Sequence, residues 1–70
     1  MFIIRREKTE DLKQGRTITY LAKQLAIPRP TLTNIMNGRI TVREEVAQKI
    51  LNKCFENVTV PKLEEYFKEI

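Results

Sequence analysis

Apolar side chains recur at helical spacing in two neighbouring segments in the middle of the chain. The first segment follows Thr17, a good N-cap residue, and its apolar positions are Ile18, Leu21, Ala22 and Leu25. The second opens with Pro28-Arg29-Pro30 and can end at Asn37-Gly38. Its apolar positions, which share one helical face, are Leu32, Ile35 and Met36. The pattern predicts two helices joined by a short turn.

Two more helices are predicted further along the chain. The first of them begins with a capping box, Thr41-Val42-Arg43-Glu44. Its apolar stripe consists of Val46, Ala47, Ile50, Leu51, Cys54 and Phe55. The second is capped at about Thr59 and continues to the end of the chain. Its stripe, at spacings of three and four residues, is Leu63, Tyr66, Phe67 and Ile70.

The start of the chain fits two interpretations. Thr9 can cap a short helix that runs through Gln14 with Leu12 inward and Gly15 as its stop, or residues 1–5 form a short strand. Both alternatives are compatible with the rest of the pattern. The sequence therefore predicts an all-α fold, a compact bundle of four to five short helices, in a single domain over residues 1–70.

The composition excludes several kinds of chemistry. Cys54 is the only cysteine, and histidine and serine are absent, so we expect no intramolecular disulfide, no common zinc-ligand set and no Ser–His or Cys–His nucleophile. Every carboxylate lies in a polar run. We expect no enzyme, no cofactor and no small-molecule substrate. No apolar run approaches the ~18 residues that span a bilayer, so a cytoplasmic protein without a membrane partner is expected.

The charge distribution points to a polyanion as the partner. From Leu12 to Arg43 the chain has no acidic residue and six basic ones, whereas the flanking segments together hold seven basic and nine acidic residues. We call residues 12–43 the acid-free segment. A basic block between neutral-to-acidic flanks indicates where a polyanion binds. Nucleic acid is the partner that the two-helix pattern and this charge favour together.

The segment from Thr17 to Arg39 resembles the helix-turn-helix of phage Cro and repressor proteins of the lambda-repressor-like family. The matching positions are Leu21-Ala22, Leu25, Ile27, Leu32, Ile35 and Asn37-Gly38-Arg39. The resemblance continues through Val58-Thr59-Val60-Pro61-Lys62-Leu63 and covers roughly residues 12–67. It implies a sequence-specific transcriptional regulator, a small phage or prophage Cro-type repressor that occupies a double-stranded DNA operator.

The resemblance also implies which residues contact DNA. The second helix of the motif is then the recognition helix, whose first turns meet base edges in the major groove. The implied base contacts are Arg29, Thr31, Thr33 and Asn34. The implied phosphate contacts are Arg16, Thr17, Thr19, Lys23, Asn37, Arg39 and Arg43.

The remaining apolar side chains leave the oligomeric state open. Tyr66, Phe67 and Ile70 either form a dimer interface or pack with Phe2-Ile3-Ile4 to close a small core. A homodimer is expected, because two copies can bind two half-sites one helical turn apart.

Two other functions compete with the Cro-type repressor. One is an antitoxin-like autoregulator, whose partner would bind the terminal helix. The other is an antirepressor-like protein-binding module, which Pro28 and Pro30 favour because they leave the recognition helix fewer free N–H groups. A protein-binding surface has no need to exclude Asp and Glu from the acid-free segment, which argues for DNA.

Overall fold

The computed structural model describes residues 1–70 and consists mainly of helices. In chain order the elements are β1 (Phe2–Ile4), α1 (Thr9–Lys13), α2 (Ile18–Leu25), α3 (Arg29–Met36), α4 (Glu44–Cys54) and β2 (Phe67–Glu69). Short 3-10 turns at Arg6–Lys8 and Leu63–Glu65 precede α1 and β2. The prediction of a mostly helical fold is confirmed, but the two strands make it more than an all-α bundle.

One apolar core joins all of these elements. No polar or charged side chain is buried, and the helices and strands all contribute to a single cluster. The fully buried side chains include Leu12 of α1, Leu21 of α2, Leu32 of α3, Ile50 of α4 and Phe67 of β2. Burying a side chain of this size stabilises the fold by about 1.5–3 kcal/mol. Each helix is therefore held mainly by its apolar face and not by its intrinsic propensity.

Helices α2 and α3 form as the sequence predicts. The Thr17 hydroxyl caps α2 by accepting a hydrogen bond from the Tyr20 amide at 3.1 Å. Helix α2 ends at Ala26, which has a left-handed φ of 58°. Helix α3 begins after Pro28, with Pro30 in its first turn, and the chain leaves it through Gly38 at a φ of 70°. Such a φ strains a residue with a Cβ, so glycine suits the end of α3.

The two ends of the chain meet in a small sheet. β1 and β2 are antiparallel, with Ile4 opposite Phe67 and Phe2 opposite Glu69. On its other edge Phe2 exchanges two hydrogen bonds with Val42, at 2.7 and 2.8 Å. β1 therefore lies between β2 and the segment that precedes α4.

The prediction of a helix from Thr59 to the end of the chain is wrong. Only a 3-10 turn and β2 form there. The apolar positions fit a helical stripe, but β1 offers an open backbone edge, and pairing with it buries Phe67 against Ile4. A contact between residues so distant in sequence leaves no local pattern.

The predicted capping box at Thr41 is also wrong. Helix α4 begins at Glu44, and Arg43 is its N-cap residue in an extended conformation, without a side-chain cap. Thr41 and Val42 lie outside the helix because Val42 pairs with Phe2. At the start of the chain both predicted elements form, since β1 covers Phe2–Ile4 and α1 covers Thr9–Lys13. The predicted cap at Thr9 is wrong, because Lys8 is the N-cap residue of α1 and the Thr9 hydroxyl donates to the Met36 carbonyl instead.

Candidate nucleic-acid interface

Helices α2 and α3 pack against each other and fix the face that α3 presents. Leu25 and Leu32 are fully or nearly fully buried between them, and the small Ala22 is also buried. Ile27, in the turn, packs against the same core. The apolar face of α3 therefore points inward, and its opposite face is presented to solvent.

The four residues implied as base contacts lie on the outer side of α3. Arg29 and Thr31 are exposed, and Thr33 and Asn34 are half-buried. None of the four side chains forms a hydrogen bond within the protein. Their donors and acceptors are thus free for a partner, as base recognition requires.

A cleft connects the start of α2 with the first turns of α3. The residues that line it are Glu10, Lys13, Gly15, Arg16, Thr17, Ile18, Thr19, Arg29 and Thr33. It brings together three of the implied phosphate contacts and two of the implied base contacts. Glu10 is the one acidic residue of the cleft, and Lys13 neutralises it in a salt bridge of 3.0 Å.

The start of α2 is better suited to an anion than the start of α3. The Tyr20 amide is occupied by the Thr17 hydroxyl, which leaves the amides of Ile18 and Thr19 as first-turn donors without an intrahelical acceptor. Free amides at a helix N-terminus, together with the helix dipole, favour a phosphate. In α3, by contrast, Pro30 removes one such donor.

The positive charge around α2 and α3 is uncompensated. Lys23, Arg29, Arg39 and Arg43 are all exposed. None of them takes part in a salt bridge, since the two salt bridges of the structure join Lys13 to Glu10 and Lys53 to Glu56. Four exposed cations that form no salt bridge produce a field that attracts a polyanion.

Arg16 has a structural partner that the sequence did not reveal. Its Nη2 donates to the backbone carbonyl of Cys54, and its Nε donates to that of Lys13 at 3.3 Å. Cys54 is the last residue of α4, where a cation satisfies a free carbonyl and complements the helix dipole. Arg16 therefore ties the loop before α2 to the end of α4, and it is only partly exposed to a partner.

Cys54 is a core residue and not a reactive thiol. It is buried, and burial raises the pKa of its thiol to about 11, although the nearby Arg16 opposes the shift. The thiolate, which is the nucleophilic form, is thus scarce at neutral pH.

Two of the three residues predicted for a dimer interface lie inside the single chain. Phe67 is fully buried and Tyr66 is only 7% exposed, whereas Ile70 is 72% exposed. The Tyr66 hydroxyl donates to the carboxylate of Asp11, and its ring packs on Phe55 with 5.3 Å between the centroids. Only Ile70 of the predicted set is available to a second copy, so the homodimer stays a prediction.

No helix of the structure has the length and apolar character to cross a membrane.

The comparisons with known proteins agree with the geometry of α2 and α3. No curated protein and no solved structure matches the chain. A family model described as helix-turn-helix matches residues 6–67, which is nearly the whole chain. The protein belongs to the lambda-repressor-like family of helix-turn-helix proteins, which are DNA-binding transcriptional regulators.

Proposed function

We propose that the protein is a small Cro-type repressor that occupies its operator as a homodimer, with α3 in the major groove. The observation that carries the proposal is the face formed by α2 and α3. It combines uncompensated cations with polar side chains that have no partner within the chain. Repulsion among these cations destabilises the folded protein until a polyanion neutralises them.

Base recognition is assigned to the outer side of α3. Arg29, in the first turn, suits the O6 and N7 acceptors of a guanine, and the Asn34 amide suits the N6 and N7 of an adenine. The methyl groups of Thr31 and Thr33 suit a thymine methyl. The dipole of α3 disfavours a cation at Arg29, and Arg29 forms no salt bridge within the protein. A hydrogen-bond acceptor on the DNA supplies the favourable interaction that the guanidinium lacks.

Phosphate binding is assigned to both ends of the recognition helix. At the cleft, the Thr17 and Thr19 hydroxyls and the first-turn amides of α2 form one anchor, which Lys23 extends. After α3, the side chains of Asn37, Arg39 and Arg43 form the other, and all three are exposed. Arg16 borders the first anchor at the rim of the cleft.

A second copy fits the energetics of the proposal. One helix-turn-helix makes few phosphate contacts, and two copies related by a two-fold axis double them while reading two half-sites. Ile70, which is 72% exposed, is the side chain that we assign to the contact between copies.

Selection of bound duplexes from a random DNA pool, followed by a salt titration on the selected site, tests the proposal. We expect an enriched palindromic site with half-sites about 10 base pairs apart. If about 4–6 phosphates are neutralised per protomer, log K should fall with log salt at a slope near −0.9 for each contact. No enrichment and a flat salt response would refute a DNA role.

A protein-binding module of the same fold is the second candidate. The observation in its favour is the first turn of α3, where Pro28 and Pro30 leave no side-chain cap and few backbone donors. This candidate predicts no salt-dependent binding to duplex DNA, so the same titration separates the two.

A further inference from the structure

Three cations precede α1, and two of them are committed to contacts within the chain. The Nε of Arg5 donates to the Glu64 carbonyl at 2.8 Å. The Nζ of Lys8 lies 5.6 Å from the centre of the Tyr66 ring. The third, Arg6, is exposed and forms no salt bridge and no side-chain hydrogen bond.

The aliphatic stem of Arg6 rests on the turn that follows α3. A Cβ added to Gly38 would lie 3.2 Å from both Cγ and Cδ of Arg6. Gly38 stands between Asn37 and Arg39, two of the residues assigned to phosphate binding. A Cβ at Gly38 would push the Arg6 stem away by a few tenths of an ångström, so the glycine lets the stem lie close to this end of α3.

The backbone around Arg6 is tied to α3 and to the sheet. The carbonyl of Arg6 accepts a hydrogen bond from the Thr9 amide, and the Thr9 hydroxyl donates to the carbonyl of Met36 at 2.9 Å. The preceding amide, of Arg5, donates to the Tyr66 carbonyl at 2.8 Å. Met36 is the last residue of α3, so the turn that carries Arg6 is held at a defined place beside the recognition helix.

We propose that Arg6 is a DNA phosphate contact at the C-terminal end of α3, beside Arg39. The inference rests on the proposed function, because it requires α3 to lie in the major groove. The major groove is about 12 Å wide and admits a helix about 10–12 Å in diameter, so segments that flank α3 come close to the phosphate backbone. The turn after α3, which carries Arg39 and lies against Arg6, is such a segment. Arg6 lies outside the acid-free segment, which is why the charge pattern did not indicate it.

Binding of Arg6→Met and Arg6→Lys to a labelled mixed-sequence DNA duplex, measured over a series of salt concentrations, tests the inference. Methionine keeps an unbranched stem against Gly38 and removes the charge, whereas lysine keeps both. For Arg6→Met we expect a several-fold loss of affinity at low salt and a slope of log K against log salt that is shallower by about 0.9. For Arg6→Lys we expect most of the affinity, and for both variants the melting temperature of the unchanged protein.

Lys49→Met is the matched control. Lys49 is an exposed cation on α4, in a surface depression that also contains Glu45 and Glu56, so its removal should leave affinity and slope unchanged. If Arg6→Met binds like the unchanged protein while Arg39→Met loses affinity, Arg6 has no phosphate contact and the proposed function stands. An equal loss in Arg6→Met and Arg6→Lys also overturns the contact. If the unchanged protein shows no salt-dependent binding, the proposed function and the inference both fail.

Discussion

Ile4 and Phe67 lie opposite each other in the antiparallel sheet, 3% and 0% exposed, so the two ends of the chain close the core together. β1 also bonds to Val42, which connects the sheet to the start of α4. The terminal segments are therefore part of the domain that presents α3.

Phe67→Ala should accordingly remove a large part of the free energy of unfolding. Removal of a fully buried phenylalanine costs about 3–5 kcal/mol, and a domain of this size has roughly 4–10 kcal/mol of stability in total. Ile70→Ala, at an exposed position, should change the free energy of unfolding by less than about 0.5 kcal/mol. Urea denaturation followed by circular dichroism measures both. An equally small change in the free energy of unfolding for Phe67→Ala would mean that β2 does not close the core.

The sequence indicated the recognition motif well because its signals are local. Thr17, Gly38 and the spacing of Leu21, Leu25 and Leu32 each act within a few residues of where they stand. β2 was missed because its structure depends on a strand at the other end of the chain. The same cause explains the late start of α4, where pairing with Phe2 overrides the cap at Thr41.

The sequence predicted the roles of single side chains less completely, because contacts with residues distant in the sequence determine those roles. Arg16 was predicted to contact phosphate, but the carbonyl of Cys54 at the end of α4 is an acceptor for it within the chain. Arg6 lies outside the acid-free segment and had no predicted role, but its stem lies against the glycine turn after α3, beside the proposed interface. In both cases the charge was visible in the sequence and its neighbour was not.

The hydrogen bond from Tyr66 to Asp11 should make stability depend on alkaline pH. The Asp11 carboxylate accepts this bond, which together with burial raises the pKa of Tyr66 to about 12. An unfolded tyrosine titrates near 10. The stabilisation is therefore complete below pH 10 and is lost progressively as pH rises from about 10 to 12. Tyr66→Phe should cost about 1 kcal/mol at neutral pH and show a smaller further loss over that interval.

Tyr20→Phe is the control for this pH dependence. The Tyr20 hydroxyl is exposed and has no hydrogen-bond partner in the chain, so its removal should leave the alkaline titration of stability unchanged. Thermal melts of the three proteins between pH 8 and pH 12 give the comparison. Identical curves for the unchanged protein and Tyr66→Phe would mean that the bond contributes nothing in solution.

The contact between Arg6 and Gly38 should appear as coupling between two substitutions. Gly38→Ala places a Cβ at a φ of 70° and crowds the Arg6 stem, whereas Gly15→Ala has the same kind of strain at a φ of 77° with no atom nearby. Each should lose about 1–2 kcal/mol from the backbone alone. The crowding adds to the cost at Gly38, and Arg6→Ala should remove that addition, for an interaction energy of at least about 0.5 kcal/mol. Strict additivity of the Arg6 and Gly38 substitutions in chemical denaturation would contradict the predicted crowding.

The division of the interface into base and phosphate contacts can be measured by the specificity of single variants. Arg29→Ala and Asn34→Ala should each cost about 1–3 kcal/mol on the selected operator and less on a scrambled duplex, because base edges carry the sequence information. Arg39→Ala should weaken both duplexes by a similar factor and reduce the salt slope by about 0.9, because every sequence has the same phosphates. Competition binding with the two duplexes distinguishes the two outcomes. Equal losses on both duplexes for Arg29→Ala would assign its guanidinium to the backbone and leave base recognition to Thr31, Thr33 and Asn34.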